Sequence, residues 1–470
     1  MSPIATVNPY TAETVREFEP MGAGAVDAAV RRAARAFTGW RSTPATDRAE
    51  VLHRAARMAA DRAEELEALI TLETGKLIRH SRAEVDLAVR TLRYYADEGP
   101  ALIADEPLKV ERGTAVLRND PLGPVLGVQP GHFPFFHAVR FAAPNLVLGN
   151  TVLVRPAAGC PQTALALAEV LAEAGAGEGC FEVLLVEDRD VGAVVEHEQV
   201  CAASLIGAEA GGDAGGAGLA ERAGRRAKKT VLDLGGRDPF IVLDGEHLER
   251  TVEAAVASRL HNMGQGGISA RRMIVVRKVY AEFVALLAER FHALRPGDPA
   301  DASTTLAPLC SEAAAARLMD QLDDACERGA TAVTGGHRID RRGAFVEPTV
   351  LTGVRPDMRA YHEELAGPVA VVFPVADEEA AVALANDSPY GLGGAVFAGD
   401  VLRAHAVADR LETGMVWINH PTTSEPNLPF GGVKRSGYGR ELAHAGITEF
   451  ANRRLVVENS AYGPVGDALG

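Results

Sequence analysis

The chain of 470 residues is too long for a single hydrophobic core, which predicts two or three domains. Its apolar share of 47% and charged share of 24% are those of an ordinary globular protein. A formal net charge of −15 argues against nucleic acid or an anionic membrane surface as a partner.

The N-terminal segment and the cysteines predict a cytoplasmic protein. The first residues, MSPIATVNPYTAETV, lack the charged and apolar regions of an export signal, and no apolar run is long enough to span a bilayer. The five cysteines are scattered without CxxC spacing, which indicates neither a disulfide framework nor a zinc site. We therefore expect a cytoplasmic protein without a metal, a nucleic-acid partner or a membrane partner.

Helical periodicity dominates the first hundred or so residues. In AVDAAVRRAARAF, Val26 and Ala33 fall on one apolar face with arginines opposite, which predicts an amphipathic helix. Two further helical runs, 46–74 and 82–104, have the same character.

The rest of the chain alternates between strands and helices. GTAVLRNDPLGPVLGV has alternating polarity and turn residues at 119–121, which predicts a β-hairpin. Beyond it, apolar runs such as TVLVRP and FEVLLVE alternate with helical runs such as QTALALAEVLAEAG, and a second series covers 237–425. The tail ITEFANRRLVVENSAY predicts an added strand. Such alternation predicts parallel βαβ units that bind ligands at the C-terminal ends of their strands.

Five motifs together resemble the aldehyde dehydrogenase superfamily: VLDLGGRDPFIV, HNMGQGG, EELAGPVAVV, SPYGLGGAVF and LPFGGVKRSGYGRE. The similarity covers nearly the whole chain and is greatest to the short bacterial succinate-semialdehyde dehydrogenases. It implies an α/β fold with a Rossmann-like cofactor domain, an α/β catalytic domain and a small β-extension that builds a homodimer or homotetramer. The corresponding boundaries are 1–113 and 131–235 for the cofactor domain, 236–427 for the catalytic domain, and 114–130 with 428–470 for the extension and C-terminal tail.

The resemblance also shows where the sequence departs from the family's chemistry. It implies a cysteine nucleophile, an asparagine that holds the oxyanion and a glutamate that activates water. These three positions are Gly267 in HNMGQGG, His132 in PGHFP and Asp233 in LDLGG. A fourth departure is Ala366 in EELAGP, where the family has an aromatic residue. Four such changes indicate divergence and exclude the thiol-dependent oxidation of an aldehyde.

The resemblance further implies a nicotinamide dinucleotide cofactor. Glycines stand at both ends of GAEAGG, which permits close backbone approach to a pyrophosphate at a helix N-terminus. A cation at position 155, without an acidic residue at 158 to repel a 2′-phosphate, favours NADP slightly over NAD. The predicted cofactor-binding residues are Arg155, Gly207, Gly212, Gly235 and Glu364.

Hydride transfer in the reductive direction needs no thiol. An imidazolium at His132 could protonate an imine nitrogen or an alkoxide. Asp233 could orient or charge that histidine or bind a cationic substrate, and Gly267 leaves space for the substrate. These residues predict an NAD(P)H-dependent reductase of a small imine or carbonyl compound. Two alternatives stay open: a catalytically inactive pseudoenzyme acting as a scaffold or ligand-binding subunit, and an aldehyde or succinate-semialdehyde dehydrogenase with residual chemistry.

Overall fold

The computed structural model of the chain describes residues 4–207 and 215–459. Within those ranges the strands form two large, mainly parallel sheets and three small antiparallel sheets, with helices between successive strands. This arrangement confirms the predicted α/β fold. None of the described helices combines the length and apolar character that a membrane span needs.

An N-terminal hairpin and four helices precede the large sheets. The predicted helix over 46–74 is divided at Arg62, where the backbone leaves the helical region (φ −97°, ψ 17°). The guanidinium of Arg62 instead binds Glu65 at 2.8 Å, in the first turn of the next helix. The elements are β1 (Ile4–Asn8), β2 (Glu13–Phe18), α1 (Ala23–Trp40), α2 (Ala45–Asp61), α3 (Ala63–Thr74) and α4 (Ile78–Leu102).

The middle of the chain carries most of the first large sheet. Its elements are β3 (Glu106–Leu108), β4 (Thr114–Pro121), β5 (Pro124–Val128), α5 (Pro134–Leu148), β6 (Thr151–Arg155), α6 (Pro161–Glu173), β7 (Phe181–Val183), α7 (Val191–Glu196), β8 (Ala202–Gly207), α8 (Gly216–Arg225) and β9 (Lys229–Leu234).

The last part of the chain carries the second large sheet. Its elements are β10 (Pro239–Val242), α9 (Leu248–Leu260), β11 (Arg272–Val276), α10 (Arg277–His292), α11 (Glu312–Glu327), β12 (Thr331–Thr334), β13 (Thr349–Thr352), α12 (Arg359–His362), β14 (Val369–Val375), α13 (Glu378–Asn386), β15 (Tyr390–Gly391), β16 (Ala395–Phe397), α14 (Val401–Ala408), β17 (Trp417–Ile418), β18 (Val433–Lys434), β19 (Gly437–Tyr438), α15 (Ala443–Glu449) and β20 (Ala451–Glu458).

The two large sheets have buried parallel strands at their centres. The first runs in the order β19-β9-β8-β5-β6-β7, with β19 antiparallel to β9. The second runs in the order β12-β13-β14-β11-β10-β16-β17, with β12 antiparallel to β13. Every residue of β6 and β11 is buried, as expected for parallel strands covered on both faces. Because β5, β8 and β9 are parallel neighbours, the residues that follow them meet at one edge of the sheet.

The hairpin predicted for GTAVLRNDPLGPVLGV is wrong. Residues 119–121 continue β4, which pairs antiparallel with β3 and, along its whole length, with β20 near the end of the chain. Strand β5 lies parallel between β6 and β8 in the first large sheet. β4 and β5 are therefore adjacent in sequence but lie in different sheets, because each pairs with strands that are distant along the chain. Of the extension predicted over 114–130, β4 lies in the small sheet and β5 lies in the first large sheet, while the domain boundaries stay predictions.

The small sheet of β3, β4 and β20 exposes apolar side chains. Leu455 is 57% exposed, Val457 is 50% exposed and Leu108 is 37% exposed. Leu455 and Val457 lie on the same face of β20, because side chains alternate along a strand. Neighbouring exposed apolar side chains mark an interaction surface. The sheet therefore fits the self-association role predicted for the extension.

We expect the double variant Leu455→Glu/Val457→Glu to dissociate the oligomer, because two carboxylates on this face would oppose its burial against a second copy. Size-exclusion chromatography with light scattering would measure the mass. Leu402→Glu is the matched control, since Leu402 is 79% exposed on α14, away from this sheet, and it should keep the wild-type mass. An unchanged mass for the double variant would show that this face is not the contact.

Candidate active site

A cavity of about 1250 Å³ opens at the carboxyl ends of β5, β8 and β9. Ligands bind at this edge in parallel α/β sheets, and the cavity exceeds the ~300–1000 Å³ of most small-molecule sites. Arg155 does not line it, and Gly212 lies outside the described residues. The predicted site residues that do line it are His132, Gly207, Asp233, Gly235, Gly267 and Glu364.

The loop that carries Gly267 is held in a strained conformation. Asn262 and Met263 have φ values of 48° and 51°, a left-handed conformation that costs roughly 1–2 kcal/mol for each such residue. Asn262 Nδ2 donates to the carbonyl oxygen of His132 at 2.7 Å. Arg271 donates to the carbonyl oxygen of Gly267 at 2.6 Å and also to that of the preceding residue. These contacts fix the loop against the His132 segment.

Position 267 offers space but no nucleophile. A Cβ built on Gly267 would meet Leu392 Cδ2 at 3.2 Å, so a small side chain fits if Leu392 moves slightly. None of the five cysteines is among the residues that line the cavity. Burial also raises the pKa of the Cys160 thiol well above its usual range. The loop thus keeps room for a thiol that the sequence does not supply.

Asp233 belongs to a buried ionic cluster. Its carboxylate, at the end of β9, pairs with Arg140 of α5, and the same guanidinium pairs with Glu441. Burial raises the pKa of Asp233, although Arg140 opposes this rise. Burial also raises the pKa of Glu441 to about 7 against the effect of Arg140, and the neighbouring Asp233 adds to the increase. Two carboxylates therefore share one cation, and Asp233 is not free to orient His132.

The surroundings of His132 disfavour the charged imidazolium in the free protein. Burial, together with the positive charges of Lys76, Arg140 and Arg271, lowers its pKa to about 3. The role of His132 as a charged proton donor stays a prediction, which this low pKa does not favour. A neutral imidazole can still donate a hydrogen bond from its N–H to a substrate atom.

His132 is one member of a packed group of rings. Its ring centroid lies 4.7 Å from that of His137, and Phe133 stacks on His261 at 5.4 Å. Lys76 Nζ lies 4.1 Å from the centre of the Phe133 ring. The Nδ1 atom of His137 is buried and has no hydrogen-bond partner. These rings form one wall of the cavity, and burial keeps its histidines neutral.

The glycines beside Asp233 and at the end of β8 are compatible with a dinucleotide. A Cβ on Gly235 would overlap Oε2 of Glu364, so this glycine allows the carboxylate to reach the cavity wall. Glu364 pairs with Arg271, which links it to the loop of Gly267. Gly207 is the last residue of β8 and lines the cavity. Its φ of 152° is a conformation that favours glycine.

Arg155 is the last residue of β6, and its side chain binds nearby groups of the protein. Its Nε donates to the carbonyl oxygen of Val186 at 3.2 Å, and its Nη2 pairs with Asp188. The predicted contact between Arg155 and a 2′-phosphate therefore stays a prediction. No group of three or more His, Cys, Asp or Glu side chains in the described ranges is arranged to hold a metal ion.

Sequence analysis did not identify Arg140 and Glu441 as parts of the site. Arg140 stands in an otherwise apolar helix, HAVRFAAPNLVL, and a charged residue in such a run is rarely buried without a partner. Glu441 closes the motif LPFGGVKRSGYGRE. Both signals were visible in the sequence, but only the fold shows that these residues meet at Asp233.

Comparison with known proteins assigns the chain to the aldehyde dehydrogenase family. The sequence model of the aldehyde dehydrogenase family matches residues 1–456. An NADP(+) succinate-semialdehyde dehydrogenase of Deinococcus radiodurans is 53% identical over 454 residues, covering 97% of this chain and 94% of that protein. An NADP(+) succinate-semialdehyde dehydrogenase of Mycobacterium tuberculosis is 44% identical over 457 residues, covering 97% of this chain and 99% of the relative.

A solved structure has the same architecture. The succinic semialdehyde dehydrogenase of Streptococcus pyogenes, crystallised with NADP+ as the cofactor, superimposes with a TM-score of 0.94 at 38% identity. The match covers 97% of this chain and 100% of that chain.

The neutral histidines predict a loss of stability in acid. The pKa values of His80, His132 and His261 are lowered to about 2, 3 and 4 in the folded protein, whereas an unfolded histidine binds its proton near pH ~6.5. Below that pH the unfolded state binds more protons, so the free energy of unfolding falls as the pH falls.

We expect His261→Phe, which keeps a ring against Phe133, to reduce this slope by up to ~1.4 kcal/mol per pH unit. Urea unfolding between about pH 7 and about pH 5 would measure it. Equal slopes for wild type and variant would show that His261 is not held neutral by the fold.

Proposed function

This chain is a member of the aldehyde dehydrogenase family, and from that premise we propose that it is an NADP(H)-dependent oxidoreductase acting without a covalent thiol intermediate. Its reaction is the reduction of a C=N or C=O group in a small molecule. One observation carries this proposal: position 267 has no side chain, and no cysteine lines the cavity beside it. Oxidation of an aldehyde through a thioester needs such a thiol.

The cofactor proposal is supported by the relatives and by the glycines of the cavity. The relatives from Deinococcus radiodurans and Mycobacterium tuberculosis are named for NADP(+). Gly207 and Gly235 are the residues that would lie against the dinucleotide, with Glu364 beside its nicotinamide end, because all three line one cavity. When bound, the reduced nicotinamide supplies a hydride.

The protein's own groups position the substrate. The neutral imidazole of His132 can donate its N–H to a substrate oxygen, or accept an N–H of the substrate at its unprotonated ring nitrogen. Asp233, held by Arg140, places a carboxylate on the wall of the same cavity. Arg271 keeps the carbonyl groups of the loop in place, and the absent side chain at Gly267 leaves room for a ring or branch of the substrate.

A second candidate is a succinate-semialdehyde dehydrogenase with thiol-free chemistry. It is favoured by the 53% identity to the Deinococcus radiodurans protein, which extends over 97% of this chain. Without a nucleophile, water would have to add directly to the aldehyde with Asp233 as the base. Asp233 is already paired with Arg140, so this candidate ranks second.

Cofactor binding and reduction test the proposal together. We expect NADPH to raise the melting midpoint more than NADH does, and the protein to oxidise NADPH in the presence of the cyclic imine 1-pyrroline. Oxidation of succinate semialdehyde with NADP+ would support the second candidate. If none of the nicotinamide cofactors raises the midpoint, the proposal is wrong and the protein is an inactive scaffold.

A thiol placed at position 267 tests the missing nucleophile directly. We expect Gly267→Cys to fold, because only Leu392 must yield, and to give a burst of about one NADPH per site with propanal and NADP+. Alkylation with iodoacetamide, followed by mass spectrometry, would locate the reactive thiol.

Gly266→Cys is the matched control for this variant, because position 266 also lines the cavity but is not the motif position. It should give no burst. A wild-type protein that produces the same burst as Gly267→Cys would contradict the proposal.

A further inference from the structure

The buried end of the cavity carries an excess of negative charge. Arg140 is 1% exposed, and two carboxylates, Asp233 and Glu441, pair with its guanidinium. Each of these carboxylates belongs to a residue that is only 6% exposed. One guanidinium therefore faces two carboxyl groups in a buried region, where water screens their charges little.

Among the described residues that line the cavity, Arg140 is the one buried cation. Glu84 on the cavity wall is paired with Lys76, and Glu364 is paired with Arg271, so both groups are neutral overall. Residues outside the described ranges contain no lysine or arginine. The other arginines that line the cavity are exposed: Arg90, Arg250, Arg317 and Arg435.

Two histidines near the cluster, His132 and His137, add polarity without charge, and His137 lies one helical turn before Arg140 on α5. His137 lines the cavity, is 4% exposed, and its Nδ1 atom has no hydrogen-bond partner in the described structure. A buried polar atom without a partner costs free energy that a bound ligand can recover. Because His132 and His137 are neutral, neither supplies a proton readily, and a reduced C=N group needs one from elsewhere.

We infer that the substrate of this site is a cation, an iminium ion that enters already protonated, and that the Arg140–Asp233–Glu441 cluster selects for its charge. This inference rests on the proposed reductase function. In the step, the hydride of NADPH adds to the iminium carbon, and the C=N π pair becomes the lone pair of nitrogen. The products are a neutral amine and NADP+, so the protein donates no proton.

The same cluster disfavours a substrate that carries a carboxylate. Arg140 keeps one unpartnered N–H, at Nε, but its charge is already exceeded by that of its two acids. An anion at this end of the cavity would meet net repulsion, whereas a cation would meet net attraction. The chain thus differs in substrate charge from what the names of its succinate-semialdehyde relatives state.

Binding of charged and neutral probes tests the inference. Isothermal titration calorimetry on the wild-type protein, with and without saturating NADP+, would compare pyrrolidinium, cyclopentanol and succinate near neutral pH. We expect pyrrolidinium to bind at least ~10-fold more tightly than cyclopentanol, and succinate more weakly than either. Pyrrolidinium should also release protons, measured in two buffers of different ionisation enthalpy, because Glu441 has a pKa of about 7 and is partly protonated.

Removing one acid should remove the preference. In Glu441→Gln the cluster becomes neutral, so pyrrolidinium should lose its advantage over cyclopentanol and its proton release. Glu425→Gln is the matched control, because Glu425 lies on the cavity wall but pairs with the exposed Arg90. This control should keep the wild-type preference. If Glu441→Gln does not fold, the comparison of probes on the wild-type protein decides alone.

The outcomes separate this inference from the proposed function. If NADP(H) binds but succinate binds more tightly than pyrrolidinium, the cation inference is wrong and the reductase proposal stands. If no cofactor binds, the reductase proposal fails, and the probes on the cofactor-free protein still show whether the cavity prefers a cation. Equal binding of pyrrolidinium and cyclopentanol would also overturn the inference.

Discussion

The buried guanidinium of Arg140 holds the site together. It joins three parts of the chain that are far apart in sequence: helix α5, the end of β9 at Asp233, and the C-terminal segment at Glu441. Removing one partner from such a buried group costs roughly 3–5 kcal/mol, because an uncompensated charge is left behind. The pairing of β19 with β9 brings Glu441 into reach, so the C-terminal segment is part of the cavity's charge as well as of the fold.

Sequence analysis predicts the general fold and the positions of the site. The alternation of apolar strands and amphipathic helices predicts a parallel α/β architecture, and the strands at 151–155 and 272–276 are buried in parallel sheets. The motif frame also predicts which residues meet: His132, Asp233, Gly235 and Gly267 all line one cavity. Local patterns succeed here because His132 follows β5, Asp233 and Gly235 lie at the end of β9, and Gly267 lies in the loop between α9 and β11.

Properties that depend on distant partners could not be predicted in this way. The hairpin expected at 119–121 is absent because β4 pairs with β20, which only the folded chain brings beside it. The pKa of His132 could not be predicted because it depends on burial and on Lys76, Arg140 and Arg271, none of which lies next to it in sequence. A glycine motif reflects the local backbone conformation, whereas the pKa of a side chain depends on all the groups packed around it.

The strained turn at Asn262 and Met263 has a mechanical consequence. Glycine would relieve the strain at either position, but both side chains make contacts that glycine would lose. Met263 is buried in the apolar cluster around α11 and β13, and Asn262 holds the backbone of His132 beyond β5. Two adjacent residues thus clamp the second large sheet to the first. The His132 backbone therefore cannot move away from the loop that leads to Gly267 without breaking the Asn262 hydrogen bond.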